Sequence, residues 1–156
     1  MPKSIHELFI QSVANEIEHQ LKSISEGEGP SAEFAKDVKS EASSTIEFEE
    51  QEYGRHDPDS QFSHTDANYP GVILEVAYSQ NAKNLPRLAD DYILGSDGDI
   101  RAVICVSLEY NQGGQAWLSV WEPRIVPNDI GEPELVAVQT VIEQVFFLHS
   151  LPRNLC

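Results

Sequence analysis

Pro70-Gly71-Val72-Ile73-Leu74-Glu75-Val76-Ala77-Tyr78 is the stretch on which the fold turns. Pro70-Gly71 is a turn signal, and the run after it is apolar with one carboxylate in its middle, which reads as a buried strand. Glu75, flanked by Ile73, Leu74 and Val76, cannot lie on a fully solvated face. A buried carboxylate is costly unless it is paired, protonated or bound to a cation, so something must compensate it. Upstream, His56-Asp57-Pro58-Asp59-Ser60-Gln61-Phe62 carries Asp59, sixteen residues before Glu75. Two adjacent antiparallel strands would bring the two carboxylates close together. Such a pair repels unless a divalent cation such as Mg²⁺ bridges it through hard oxygen ligands. Alone, Pro58-Asp59 would be ordinary turn chemistry.

Downstream, Asn84 to Gly95 predicts a helix. Leu85, Leu88, Ala89, Tyr92 and Ile93 form its apolar stripe, Asn84 suits an N-cap, Pro86 is tolerated in the first turn, and Gly95 can terminate it. Ile100–Leu108 is apolar on both parities, as a central strand covered on both faces would be, and Ala116–Trp121 is a further strand, with Gly113-Gly114 as the hairpin turn. Leu135–Phe147 fits both periodicities; the preferred reading is a strand that runs on into a helix. At the other end, Ile5, Phe9, Val13, Ile17 and Leu21 recur every four residues, so residues 4 to 24 read as an amphipathic helix opened by a Ser4/Glu7 capping box. Residues 25–41 are small, polar and charged and read as a flexible connector. From Ser43 the period becomes two, with Ile46 and Phe48 on the dry side of a strand. The sum is a single mixed α/β (α+β) domain over residues 1–156. Its central mixed sheet is flanked by the N-terminal helix and by a helix after the third strand.

The chain has 156 residues, 26 acidic and 10 basic, for a formal charge of −16. The excess is spread along it: residues 1–56 hold 12 acidic and 5 basic side chains, 57–109 hold 9 and 3, and 110–156 hold 5 and 2. A protein that grips nucleic acid by counterion release wants a basic face. The composition therefore argues against a broad phosphate-binding surface, but not against a metal site built of carboxylates. The two cysteines, Cys105 in an apolar run and Cys156 at the last position, offer no disulfide framework, so an intracellular setting, cytoplasm or nucleus, is expected. Neither a membrane span nor a signal peptide is expected from the hydropathy.

Asp59 after Pro58, then Glu75 in an apolar strand, then a helix, within the order helix–strand–strand–strand–helix–strand, resembles the PD-(D/E)XK superfamily of restriction-endonuclease-like folds. The passages Pro70 to Gln80, Leu88 to Gly95 and Ser119 to Arg124 look like a group of uncharacterised fungal proteins of that superfamily. They are also similar to a large bacterial restriction-endonuclease-like family whose strand ends E-V-x-S. The resemblance covers residues 43 to 125. It implies Mg²⁺- or Mn²⁺-dependent phosphodiester hydrolysis, with Asp59 and Glu75 as metal ligands and catalytic residues, and the Val76 carbonyl as a third oxygen. An acidic residue of the first helix, Glu16 or Glu18, would complete the shell. The superfamily's lysine, two residues after the glutamate, is Ala77 in this chain. The following helix would have to supply it, from Lys83 or Arg87; Lys83 is the expected catalytic amine, although arginine and a solvated loop lysine are both poor substitutes.

Each feature has a plainer reading. Glu75 would be structural if a nearby Arg or Tyr satisfied it, and Lys83 an ordinary solvated residue. His56 and His64 flank Asp59 without a metal spacing, and His6, His19 and His149 read as surface residues. Asp97-Gly98-Asp99 reads as a turn, and Trp117 and Trp121, on one strand face, read as packing. Two function classes emerge: a nuclease-type metal-dependent hydrolase, or a catalytically inactive endonuclease-fold interaction module. A third, weaker class is an acidic protein that occupies the nucleic-acid-binding surfaces of others. With Lys83, Arg87 and Arg101 as the basic residues between 57 and 109, any nucleic-acid partner would be held weakly by charge. A homo-oligomer and an unidentified protein partner both stay open.

Overall fold

The computed structural model describes residues 4–78, 82–109 and 114–147. The elements in chain order are α1 (Ile5–Ser25), α2 (Pro30–Lys36), β1 (Val38–Ala42), β2 (Ile46–Glu47), β3 (Arg55–His56), β4 (Ser60–His64), β5 (Val72–Tyr78), a 3₁₀ turn (Ala82–Asn84), α3 (Leu85–Gly95), β6 (Ala102–Glu109), β7 (Gln115–Pro127) and β8 (Pro133–Phe147). Together they make a mixed α/β fold with a six-stranded sheet of order β1-β4-β5-β6-β7-β8; β2 and β3 form a separate ribbon. Every pairing in the large sheet is antiparallel except β5 with β6, which is parallel and is bridged by α3.

Strand periodicity sorts β5 between two layers. Leu74 and Val76 pack with Phe9 of α1 and with Val106, Leu108 and Ala116. Ile73 packs on the opposite face with Leu85, Ala89, Tyr92 and Ile93 of α3, and with Val103, Cys105 and Trp121. The predicted capping box of α1 is present: Glu7 N–H donates to Ser4 Oγ at 3.2 Å and Ser4 N–H donates to Glu7 Oε2 at 3.0 Å. Helix α3 occupies its predicted span, but Asn84 makes no side-chain cap bond and Ser96, not Gly95, closes the end. Gly95 is needed for another reason. A Cβ there would lie 2.7 Å from Phe48 Cγ, so the phenyl ring rests directly on the helix backbone.

Three expectations are corrected. Residues 25–41 are not a connector: they finish α1, form α2 with Ala32 and Ala35 buried, and carry β1, which pairs with β4 from Val38↔His64 to Ala42↔Ser60. With so few apolar residues, these short elements leave no periodic signal. The strand expected around Ile46 and Phe48 shrinks to the two-residue β2, while both side chains still turn inward, at 6% and 8% exposure. The segment 135–147, which fits both periodicities, is strand throughout, with no helix taking over within it; residues 148–156 lie outside the described residues. Its helical spacing arises because Ile142 and Val145 are apolar yet exposed on the outer strand. Of the hairpin turn, Gly113 lies outside the described residues, as do His149 and Cys156; Gly114 has φ 69°. Asp97-Gly98-Asp99 is the turn between α3 and β6, with φ of 52° at Asp97 and 80° at Gly98.

Candidate functional site

The antiparallel register Ser60↔Leu74 brings the residue before β4, Asp59, level with the middle of β5. Pro58 anchors that approach, since it is among the fully buried side chains and not part of a solvated turn. Where β4 ends, the carboxylate takes over from the ladder: Val76 N–H donates to Asp59 Oδ2 at 2.7 Å. The carbonyl of the same residue is also satisfied by a side chain. His6, in the first turn of α1, lies with Nε2 2.6 Å from the Val76 oxygen, and a carbonyl only accepts, so this nitrogen carries the proton. The same nitrogen stands 3.8 Å from Asp59 Oδ2. Asp59, the Val76 carbonyl and His6 thus meet at one point on the edge of β5.

Glu75 points to the α3 side of the sheet, where Tyr92 O–H donates to its Oε1 at 2.6 Å. Burial raises the Glu75 carboxyl from 4.5 to about 7; the neighbouring Asp59 charge adds to the rise and the Tyr92 bond opposes it. The Tyr92 hydroxyl is itself pushed far upward, first by burial and then by Glu75, so it stays a donor at any working pH. Cys105, in register with Glu75 on β6, is likewise pushed up by burial and then by Glu75; it is a buried, free and unreactive thiol. Behind Tyr92 stands His56. Its Nε2 lies 3.2 Å from Asp91 Oδ2 and 2.9 Å from the Tyr53 oxygen, and its ring centroid is 5.3 Å from that of Tyr92. The β2–β3 ribbon therefore holds the tyrosine that holds the glutamate.

Other expected contributors stand elsewhere. Glu16 and Glu18 are exposed on α1, and Glu16 accepts from Gln20 Nε2 at 2.8 Å. Glu16 is ten residues beyond His6, about 15 Å along a helix axis, so the first turn of α1 reaches the site and its middle does not. Lys83 and Arg87 are exposed, and among the described residues neither makes an ion pair with Asp59 or Glu75. Ala77 leaves the position two residues after Glu75 without an amine. His6, expected on the surface, is half-buried at the site. A signal for it exists in the sequence, since residues 6, 9 and 13 share a helical face with the buried Phe9.

Among the described residues, no three His, Cys, Asp or Glu side chains form a ready ligand cluster. A donor set for a hard cation at this point would combine Asp59, the Val76 carbonyl and His6, with Glu75 released from Tyr92 and the His6 proton shifted to Nδ1 so that Nε2 is free to ligate. In donor type these residues suit a divalent cation, the imidazole favouring Mn²⁺ over Mg²⁺. No family model matches this sequence, and neither the curated proteins nor the solved structures provide a match. No described helix is long and apolar enough to cross a membrane.

Proposed function

We propose that this chain is a restriction-endonuclease-like domain with a divalent-cation site at Asp59, Glu75 and the Val76 carbonyl, and that it acts on phosphodiesters as a nuclease. The observation that carries the reading is the meeting of Asp59 with the Val76 peptide beside a half-buried Glu75. The strand arrangement supports it: β1, β4 and β5 run as an antiparallel meander, then α3 crosses to a parallel β6, as in the fold the sequence resembles. A cation bound there supplies Lewis-acid charge neutralisation at a phosphodiester oxygen. The protein's own residues do the rest. Val76 N–H fixes the Asp59 carboxylate, Tyr92 orients Glu75, and His6 Nε2–H, donated to the Val76 carbonyl, holds the first turn of α1 against the site.

A second reading is favoured by a specific observation. With Ala77 in the lysine position and Lys83 and Arg87 exposed, no lysine or arginine forms an ion pair with Asp59 or Glu75 among the described residues. The chain then keeps the fold and the cation site as a catalytically inactive interaction module. One experiment separates the two readings: incubation of single- and double-stranded DNA and RNA with Mg²⁺ or Mn²⁺, comparing the protein with Glu75→Ala, alongside calorimetric Mn²⁺ titration of both. Cleavage lost in the variant supports the nuclease. Glu75-dependent binding without cleavage assigns the module. Equal cleavage in both proteins, or neither binding nor cleavage, removes the site.

A further inference from the structure

The carboxylate pair ends a row of residues that crosses the sheet. Glu75 is in register with Cys105 on β6, and Cys105 with Ser119 on β7; the next row on the same face is Ala77, Ser107 and Trp117. Over these rows, between the first turn of α3 and β8, lies a hollow of about 560 Å³ lined by Trp117, Trp121, Ser107, Ser119, Gln139 and Glu143, among others. That volume is within the range of small-molecule sites. The backbone around it departs from a regular ladder. The β7–β8 register shifts between Leu118 and Trp121, and Glu143 adopts φ 42°, with its N–H donated to Ser119 Oγ at 3.2 Å. Bulges re-aim side chains, and a non-glycine residue at positive φ persists only where its surroundings hold it.

The chemistry of the lining is selective. Among the described residues it offers two indoles, two hydroxyls, an amide and one carboxylate, with no lysine or arginine. Such a lining suits a flat, uncharged ring with donors and acceptors on its edge and disfavours a phosphate. Strand β7 lies two strand spacings from β5, about 10 Å, so a ring held here sits about that far from the strand that carries Glu75, with Asp59 roughly one spacing further. We propose that this hollow is a nucleobase subsite, in which a base stacks on Trp117 and its edge meets Ser107, Gln139 or Glu143. The class of ligand rests on the phosphodiesterase reading; the stacking surface does not.

Neutral nucleosides test the hollow apart from any cation or cleavage. Adenosine, guanosine, cytidine and thymidine are titrated against the metal-free protein and followed by saturation-transfer NMR. The comparison uses Trp117→Ala, Trp117→Phe and Glu75→Ala, with circular dichroism to confirm that each is folded. The expected result is saturable binding of at least one nucleoside, weakened roughly tenfold or more in Trp117→Ala, the scale of one base–aromatic stack, and retained in Trp117→Phe and Glu75→Ala. No saturable binding of any nucleoside, or equal binding in Trp117→Ala, overturns the proposal. Nucleoside binding without cleavage refutes only the hydrolytic reading, and Glu75-dependent cleavage without nucleoside binding refutes only the subsite.

Discussion

Replacing Glu75 by Gln should stabilise the metal-free protein at neutral and alkaline pH and do little at acid pH. The carboxyl has a folded pKa of about 7 against an ordinary 4.5. Below 4.5 it is protonated in both the folded and unfolded states. Between 4.5 and 7 the folded protein holds a proton that the unfolded chain has released, so the group's contribution to stability falls as pH rises through that window. Above 7 the charge is buried in the folded state at full cost. The interval from 4.5 to about 7, at about 1.4 kcal/mol per pH unit, comes to ~3 kcal/mol. Glutamine keeps the shape and an acceptor for Tyr92 O–H but carries no charge, so it escapes that cost. For a chain of this size ~3 kcal/mol corresponds to about 6–12 °C in Tm. Tm of the protein and of Glu75→Gln, measured in chelator from pH 4 to pH 9, gives a difference that should open between pH 5 and 7 and then level off. A difference that is flat with pH, or a variant less stable at pH 8, would show that Glu75 is ionised in the folded state without penalty.

Tyr92→Phe removes the donor to Glu75, which should push that carboxyl still higher and cost about 1–3 kcal/mol at neutral pH; side-chain carboxyl NMR titration reads the direction and denaturant unfolding the loss. Gly95→Ala places a methyl against the Phe48 ring and should cost about 1–3 kcal/mol, with Phe48→Leu in the same chain recovering most of it, as seen in thermal melts. Ser4→Ala abolishes the capping box and should lower stability by about 1 kcal/mol, read as a lower urea midpoint at unchanged slope. On the nuclease reading, Ala77→Lys returns an amine beside the pair and should raise Mn²⁺-dependent cleavage by roughly a hundredfold, the low end for a positioned proton-transfer group; a rate unchanged by a folded variant would argue that the carboxylates serve no hydrolysis.

Periodicity and burial cost make part of this fold legible in the residues themselves. The span of α1, its cap, the span of α3 and the isolation of Glu75 in an apolar strand all come from residue spacing alone. Burial cost also allows a tyrosine to compensate Glu75, but it does not say which one, because Tyr92 also fits the apolar stripe of α3 and only its hydroxyl distinguishes the two roles. His6 escapes such a reading because a histidine in a helix's first turn is usually solvated, and its partner is a backbone carbonyl seventy residues away. The edge strand β1 and the short α2 are hidden for another reason: seven- and five-residue elements with mostly wet side chains leave little hydrophobic pattern to read.

The long β7–β8 hairpin has a kinetic consequence. Its strands pair from Pro127↔Pro133 outward, and Asn128 ties the turn by accepting from Ile130 N–H at 3.1 Å and Glu132 N–H at 2.9 Å. Contacts that local close on the order of microseconds. The parallel pairing of Glu75 with Cys105 must wait until a thirty-residue crossover containing α3 has folded back, which is the slower closure. The chain should therefore acquire its outer hairpin first and bring its acidic centre together among the last events of folding, so that hydrogen exchange pulsed during refolding protects residues 115–127 before it protects Val76.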